Sequence, residues 1–195
     1  EKILLTRSPE MVYTLIELGL LDAFLKKRMP EPWRLHRLGS IQRKAMPRWA
    51  ALCCALEKFG CIDSAEEFLA ALRLDSRTIR CCSNAEVLVK QPKPADKAAW
   101  KRALCAYGVD SVSCAAQCYD AFSGGGSARE LRAVLKSGEC FSMKHLAVTG
   151  DDLLELGLRG RELGDMLRFL LDYVMEYPAN NRRELLLTLA RGTEE

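Results

Sequence analysis

Wherever apolar residues recur in this chain, they recur at the spacing of a helix. Val12, Leu15, Ile16 and Leu20 follow at helical steps, as do Trp49, Leu52, Cys53, Leu56 and Phe59, and then Val112, Ala115, Cys118 and Phe122. A period near 3.6 residues puts such positions on one face of an α-helix. No window alternates apolar and polar residues long enough to argue for a strand, and two-residue hairpin signals are missing. The expected fold is therefore all-α, an irregular multi-helix array of about nine to ten helices with no sheet.

Start and stop signals divide the array. Ser8-Pro9 opens a helix, and Gly19 breaks or bends it before Leu20-Leu21-Asp22-Ala23-Phe24-Leu25. Pro30-Glu31-Pro32 marks a loop, Pro47 opens a second helix, and Gly60 stops it. Asp63-Ser64-Ala65-Glu66 reads as a capping box, and Asp75 or Ser76 caps the next helix. Gln91-Pro92-Lys93-Pro94 cannot continue a helix, which places the expected boundary between a body subdomain, 1–91, and a tail subdomain, 92–195. A helix around 97–107 ends at Gly108, and Asp110 caps its successor. Ser123-Gly124-Gly125-Gly126-Ser127 is a flexible connector, and Ser127-Ala128-Arg129-Glu130 reads as another capping box.

Composition bounds the setting. Hydrophobic residues make up 49% and charged residues 28%, the balance of a globular chain. No apolar run approaches the ~20 residues that span a bilayer, so no membrane partner is expected. Lys2-Ile3-Leu4-Leu5 is too short for a signal peptide, and Glu1 in first position predicts a fragment or a processed chain. Nine cysteines, an odd count with adjacent pairs at Cys53-Cys54 and Cys81-Cys82, argue for small core hydrophobes in a reducing compartment rather than a disulfide scaffold. The expected location is the cytoplasm. Net charge is +3, but its distribution is uneven. Lys26, Lys27, Arg28, Arg34, Arg37, Arg43, Lys44 and Arg48 stand in one stretch against Glu31 alone, and Lys90, Lys93, Lys97, Lys101 and Arg102 stand against Asp96. Such clusters are the footprint of a polyanion binder, or simply solvated helix faces.

The residues offer little catalysis. Nucleotidyl transfer needs carboxylates that hold Mg²⁺, usually Asp-x-Asp after a Gly-Ser turn; Gly39-Ser40 is present, but no Asp-x-Asp occurs. His36 and His145 are the two histidines, and neither neighbours an acid at ligand spacing. Cys114 and Cys118 lie at i and i+4, with Cys140 or His145 as further ligand candidates, but no Cys-x-x-Cys pair points to zinc. The Gly124–Gly126 loop lacks the Lys-Ser/Thr of a phosphate loop. No catalytic or metal-binding residue is assigned.

RNA holding needs less of a signature. Structured RNA is gripped through phosphates, 2′-hydroxyls and shape, using Lys, Arg, Asn and helix N-termini. The stretch from Leu146 to Leu167 carries four glycines, Gly150, Gly157, Gly160 and Gly164, between short amphipathic segments. Within it Arg159-Gly160-Arg161 sets two guanidinium groups around a glycine at a helix entrance, and Arg182-Arg183 opens the last helix, where a cation opposes the dipole. The RNA-binding candidates are Arg34, Arg37, Arg43 and Lys44 in the first half, and Arg159, Gly160, Arg161, Arg182 and Arg183 in the tail.

The tail resembles the C-terminal region of CCA-adding tRNA nucleotidyltransferases and the related bacterial poly(A) polymerases. Gly150-Asp151-Asp152-Leu153, Gly157, Gly160, Gly164 and Asn181 stand where that family has Gly-x-Asp-Leu, then Gly-x-x-Gly-x-x-x-Gly, then Asn before a final helix. Ser8 to Leu25 is similar to the segment after the family's neck. Arg48-Trp49-Ala50-Ala51-Leu52-Cys53 is similar to the segment that precedes a metal-binding His-Asp pair in relatives, but Cys54-Ala55 replaces that pair. The resemblance implies a tRNA-binding body and tail, non-catalytic by itself, that needs no cofactor. Mg²⁺, ATP and CTP would belong to a catalytic head missing from this chain. It does not separate a CCA-adding parent from a poly(A)-adding one. Two alternatives remain from the residues: a catalytically silent helical protein-interaction module, and a divergent His-Asp phosphohydrolase.

Overall fold

The structure is a computed structural model that describes residues 1–192, with the backbone alone described for Pro32, Trp33 and Arg34. The all-α expectation holds: among the described residues there are nine α-helical segments, five 3-10 segments and no strand. The helices are α1 (Val12–Glu17), α2 (Ala45–Lys58), α3 (Ala65–Ala71), α4 (Ser76–Lys90), α5 (Lys97–Ser123), α6 (Ser127–Lys136), α7 (Gly150–Glu155), α8 (Gly160–Glu176) and α9 (Arg183–Gly192). No helix of the described residues is long and apolar enough to cross a membrane.

Helix α5 breaks at Gly108, whose φ of 78° and ψ of 163° lie in a region that only glycine enters readily. The chain divides near there. One compact unit is Glu1–Lys93 with Tyr107–Leu131, and the other is Pro94–Ala106 with Arg132–Glu195.

In the first unit α4 packs on α2 and α3. Ten consecutive residues of α2, from Pro47 to Leu56, are buried, which makes α2 a helix enclosed on every side. Ala50, Ala51, Cys53 and Cys54 keep that helix slim enough for neighbours to approach. Eight of the nine cysteines are buried and none is in a disulfide; Cys105 departs from the core-packing expectation and is exposed. In the second unit α7, α8 and α9 pack on one another around Leu153, Leu170, Leu171, Val174 and Leu186.

Short-range side-chain caps set the starts of α3, α4 and α7, whereas α1, α2 and α8 have none, and α2 begins at Ala45 rather than at the expected Pro47. Ser64, one residue later than the Asp63 start, caps α3 by accepting from the Glu67 N–H at 3.2 Å. For α6 the cap is not Ser127 but Asp120, whose carboxylate accepts from the Ser127 N–H at 2.5 Å and the Ala128 N–H at 3.0 Å. The Ser127 hydroxyl is buried and has no partner among the described residues. Asp75 caps α4 as expected, accepting from the Thr78 N–H at 3.0 Å.

Candidate nucleic-acid interface

A cation can grip a phosphate only if the protein's own acceptors leave it available, so each basic residue is judged by its partners. In the first unit much of the basic stretch meets the protein's own acceptors, although Arg48 alone among its described basic side chains is buried. Arg48 is 3% exposed and donates to the carbonyls of Ile41, Leu4 and Thr6. Burial is the main force lowering its pKa. Arg37 Nη1 donates to Ala121 O at 2.7 Å, and Arg43 Nε donates to Leu5 O. Lys26 pairs with Asp63, and Arg28 with Asp22 at 2.7 Å. Lys44 is exposed at the position that precedes α2. The Arg34 side chain lies outside the described residues.

The second basic cluster is neutralised member by member. Lys90 bridges Glu57 at 2.9 Å and Glu86 at 2.8 Å, and Lys93 meets Glu130 at 2.9 Å. Lys97 and Arg102 pair with Glu139 and Glu176. Lys101 is 1% exposed; its ammonium donates to Glu139 Oε2 and to Met175 O, both at 2.7 Å. Burial pushes the Glu139 carboxyl up, but the hydrogen bonds from Lys101 and Lys97 outweigh it and hold the group below its ordinary value.

The tail is built around Asp152. Thr149 and Asp152 form a reciprocal capping box at the start of α7. The same carboxylate accepts from Arg183 Nε at 3.1 Å and Nη2 at 2.5 Å, which ties the first turn of α9 to α7. The Thr149 backbone N–H, then Arg183, hold the Asp152 carboxyl down to about 2. Asn181 adds a second tie: its Oδ1 accepts from the Ala147 N–H and its Nδ2 donates to His145 O, both at 2.8 Å. Neither tie was visible in the periodicity. The Thr149-x-x-Asp152 spacing was the one local signal that could have found the box.

The remaining tail arginines face solvent. Arg159 precedes α8 and is exposed, with no side-chain cap on that helix start. The Arg161 side chain is 92% exposed and meets Asp165 at 3.5 Å, an ion pair that contributes little in water. Between them Gly160 has φ of 55°, and a Cβ there would meet nothing within 4 Å, so the backbone lies open at the helix entrance. Arg182 is exposed just before α9. Of the tail candidates, Arg159, Gly160, Arg161 and Arg182 are thus available at helix entrances, whereas Arg183 is held by Asp152.

Cys54 and Ala55, where the His-Asp pair would stand, border a cavity of about 430 Å³ that is also lined by Arg37, Glu57, Glu86 and Lys90. The Lys90 ammonium sits between its two carboxylates, and Glu86 also accepts from the Ala65 N–H at 2.6 Å. These are the contacts of a structural network. Among the described residues, no group of three or more His, Cys, Asp and Glu side chains is placed to hold a metal ion. His145 is exposed, with Nδ1 3.3 Å from Ser142 Oγ and Phe141 edge-on at 5.5 Å.

No curated protein matches the chain. Its fold is similar to that of the Bacillus stearothermophilus CCA-adding enzyme in complex with CTP, with a TM-score of 0.67 at 20% sequence identity. The similarity covers 98% of this chain and 54% of that one, so the chain spans about half the length of that enzyme. Residues 42–190 match the family described as tRNA nucleotidyltransferase domain 2, and the match takes in both compact units. The chain belongs to the tRNA nucleotidyltransferase domain 2 family.

Proposed function

We propose that this chain is the tRNA-holding body and tail of a nucleotidyltransferase that adds CCA, or poly(A), to RNA 3′ ends. The family match over 42–190 carries the reading. In it, nucleotidyl transfer with Mg²⁺, ATP and CTP belongs to a catalytic head on another part of the parent protein. This chain positions the RNA without a cofactor, in the cytoplasm. The exposed Arg159, Arg161 and Arg182 supply phosphate contacts, and the open backbone at Gly160 lets an anion approach the free N–H groups of α8. Most cations of the first-half cluster hold the fold instead, so the grip is concentrated in the tail with Lys44 as an outlying contact.

The test is a tRNA titration of the purified chain across a salt series. Phosphate contacts release counterions, so affinity is expected to fall steeply as salt rises. Undetectable binding at ~50 mM salt would overturn the reading of a free-standing RNA grip. The chain by itself is expected to incorporate neither CTP nor ATP; incorporation would overturn the assignment of chemistry to another part.

A second reading, a helical protein-interaction module, draws on Met11, Leu18 and Leu20, which are 54%, 67% and 63% exposed in the first unit. Clusters of exposed apolar side chains mark interaction surfaces. Replacing the three by Ser would then abolish capture of a protein partner and leave tRNA binding intact.

A further inference from the structure

Six of the nine cysteines, Cys53, Cys54, Cys81, Cys82, Cys114 and Cys118, come from α2, α4 and the part of α5 that follows Gly108, all in the first unit. Among them, Cys81 Sγ lies 3.6 Å from Cys114 Sγ. We propose that Cys81 and Cys114 are an oxidisable dithiol at which a peroxide converts two thiols into one disulfide.

The geometry around this pair sets it apart. Arg77 and Asp110 stand one turn before Cys81 and Cys114 on the two helices and meet at 2.6 Å, with side chains 69% and 54% exposed. Asn84 Nδ2 donates to Ser111 Oγ at 3.3 Å, three residues after Cys81 and three before Cys114. These two ties hold the helices in register with the sulfurs facing. The two cysteines are themselves buried, at 3% and 2% exposed, one helical turn from the exposed Arg77–Asp110 pair. The sulfurs must close from 3.6 Å to about 2.05 Å for the bond to form.

The two thiols are not equivalent. The hydrogen bond shared with Cys114 holds the Cys81 thiol below its ordinary pKa, against burial and with help from Ser111. The same bond, together with burial, pushes Cys114 up. Cys81, one turn from the Arg77 guanidinium, is assigned as the nucleophile, and Cys114, one turn from the Asp110 carboxylate, as the resolving thiol. The neighbouring Cys54 and burial push the Cys118 thiol well up, which keeps that thiol protonated.

The chemistry balances as two thiols plus one peroxide giving one disulfide plus two waters. The Cys81 thiolate attacks a peroxide oxygen; the S–O bond forms, the O–O bond breaks, and the leaving hydroxide takes up the proton released from Cys81. The Cys114 sulfur then attacks the Cys81 sulfenic acid. The S–S bond forms, the S–O bond breaks, and hydroxide leaves as water with the Cys114 proton. Each sulfur gives up one electron and the peroxide accepts both. A dithiol reductant reverses the change by thiol–disulfide exchange.

The test treats the reduced full chain carrying Cys105→Ser, which removes the exposed thiol, with a stoichiometric amount of hydrogen peroxide. Intact mass and non-reducing peptide mapping then locate the product. The expected result is a loss of two hydrogens, a Cys81–Cys114 linked peptide pair as the predominant product, and full recovery with dithiothreitol. A predominant Cys54–Cys118 linkage, sulfinic acid at Cys81 without linkage, or no oxidation would overturn the proposal. In the further variant Cys114→Ser, a dimedone adduct is expected at Cys81; its absence in folded protein would assign the nucleophile elsewhere. The unsubstituted Cys81 and Cys114 map decides the matter if that variant does not fold.

Discussion

Replacing Lys101 by Met separates a structural lysine from an RNA-binding one. Lys101 belongs to a basic run that reads as a polyanion footprint, yet its side chain is 1% exposed. The ammonium sits 2.7 Å from Glu139 Oε2 and 2.7 Å from Met175 O, close to the C-terminus of α8, where carbonyls lack helical partners and a cation is favoured. Methionine keeps the aliphatic bulk and removes both donated bonds. Hydrogen bonds to a charged group are each worth about 1.5–3 kcal/mol. Breaking a buried pair from one side costs about 3–5 kcal/mol. Part of this is offset because Lys97 still pairs with Glu139 and no ammonium needs to be desolvated, which leaves a loss of about 3 kcal/mol. For a chain of this size about 2–4 °C of melting temperature accompanies each kcal/mol, so the Lys101→Met midpoint is expected to fall by about 6–12 °C. The assay is a thermal melt followed by circular dichroism at pH 7, paired with a tRNA titration well below both midpoints. Affinity per folded molecule should not change. An unchanged or higher midpoint together with weaker tRNA binding would refute the anchoring argument.

Four other outcomes are expected. Changing Arg159 and Arg161 together to Ala should leave the melting temperature in place and flatten the salt dependence of tRNA binding by about 1.5 in log–log slope, since two phosphate contacts are lost; unfolding of the tail would make the pair structural instead. Gly108→Ala meets open space but must adopt φ of 78° and ψ of 163°, so a loss of about 1–3 kcal/mol should appear in a denaturant melt. Asp120→Ala removes the acceptor for two N–H groups at the start of α6 and should cost about 1 kcal/mol, with faster hydrogen exchange confined to that first turn. The Asp152 carboxyl is lowered from 3.8 to about 2, so its stabilising effect is complete above pH 3.8 and is lost as pH falls through about 2. Asp152→Asn should therefore be less stable than the parent chain at neutral pH, with the difference closing between those two values; a gap that persists in acid would refute it.

The first-half basic cluster shows how charge in sequence differs from charge at a surface. Arg37, Arg43 and Arg48 look alike as letters, and all three end on backbone carbonyls of residues 121, 5, and 4, 6 and 41. Irregular segments and the last turn of a helix, as at Ala121 in α5, leave carbonyls without partners, and a guanidinium with five donors can satisfy several at once. In the tail, Arg182 and Arg183 are neighbours in sequence, yet only Arg183 meets Asp152. The helix start between them turns their side chains to different surroundings.

Helix type and most helix starts were legible because they rest on interactions within about four residues. Apolar periodicity, Asp75 before Thr78 and the glycine stop at Gly60 are local facts of the chain. The Asp120 cap on α6, seven residues away across three glycines, already escaped that reach. Which cations remain for RNA was not legible at all, because it depends on pairings such as Lys101 with Glu139, Arg183 with Asp152 and Arg37 with Ala121, separated by 38, 31 and 84 residues. The return of Tyr107–Leu131 to the first unit, which brings Cys114 to Cys81, belongs to the same class. Local patterns along the chain specify an array of helices and carry the family's motifs. Only the packing of those helices decided which charged and sulfur-bearing side chains meet, because a side chain's partner is set by the faces that burial brings together and not by its neighbours along the chain.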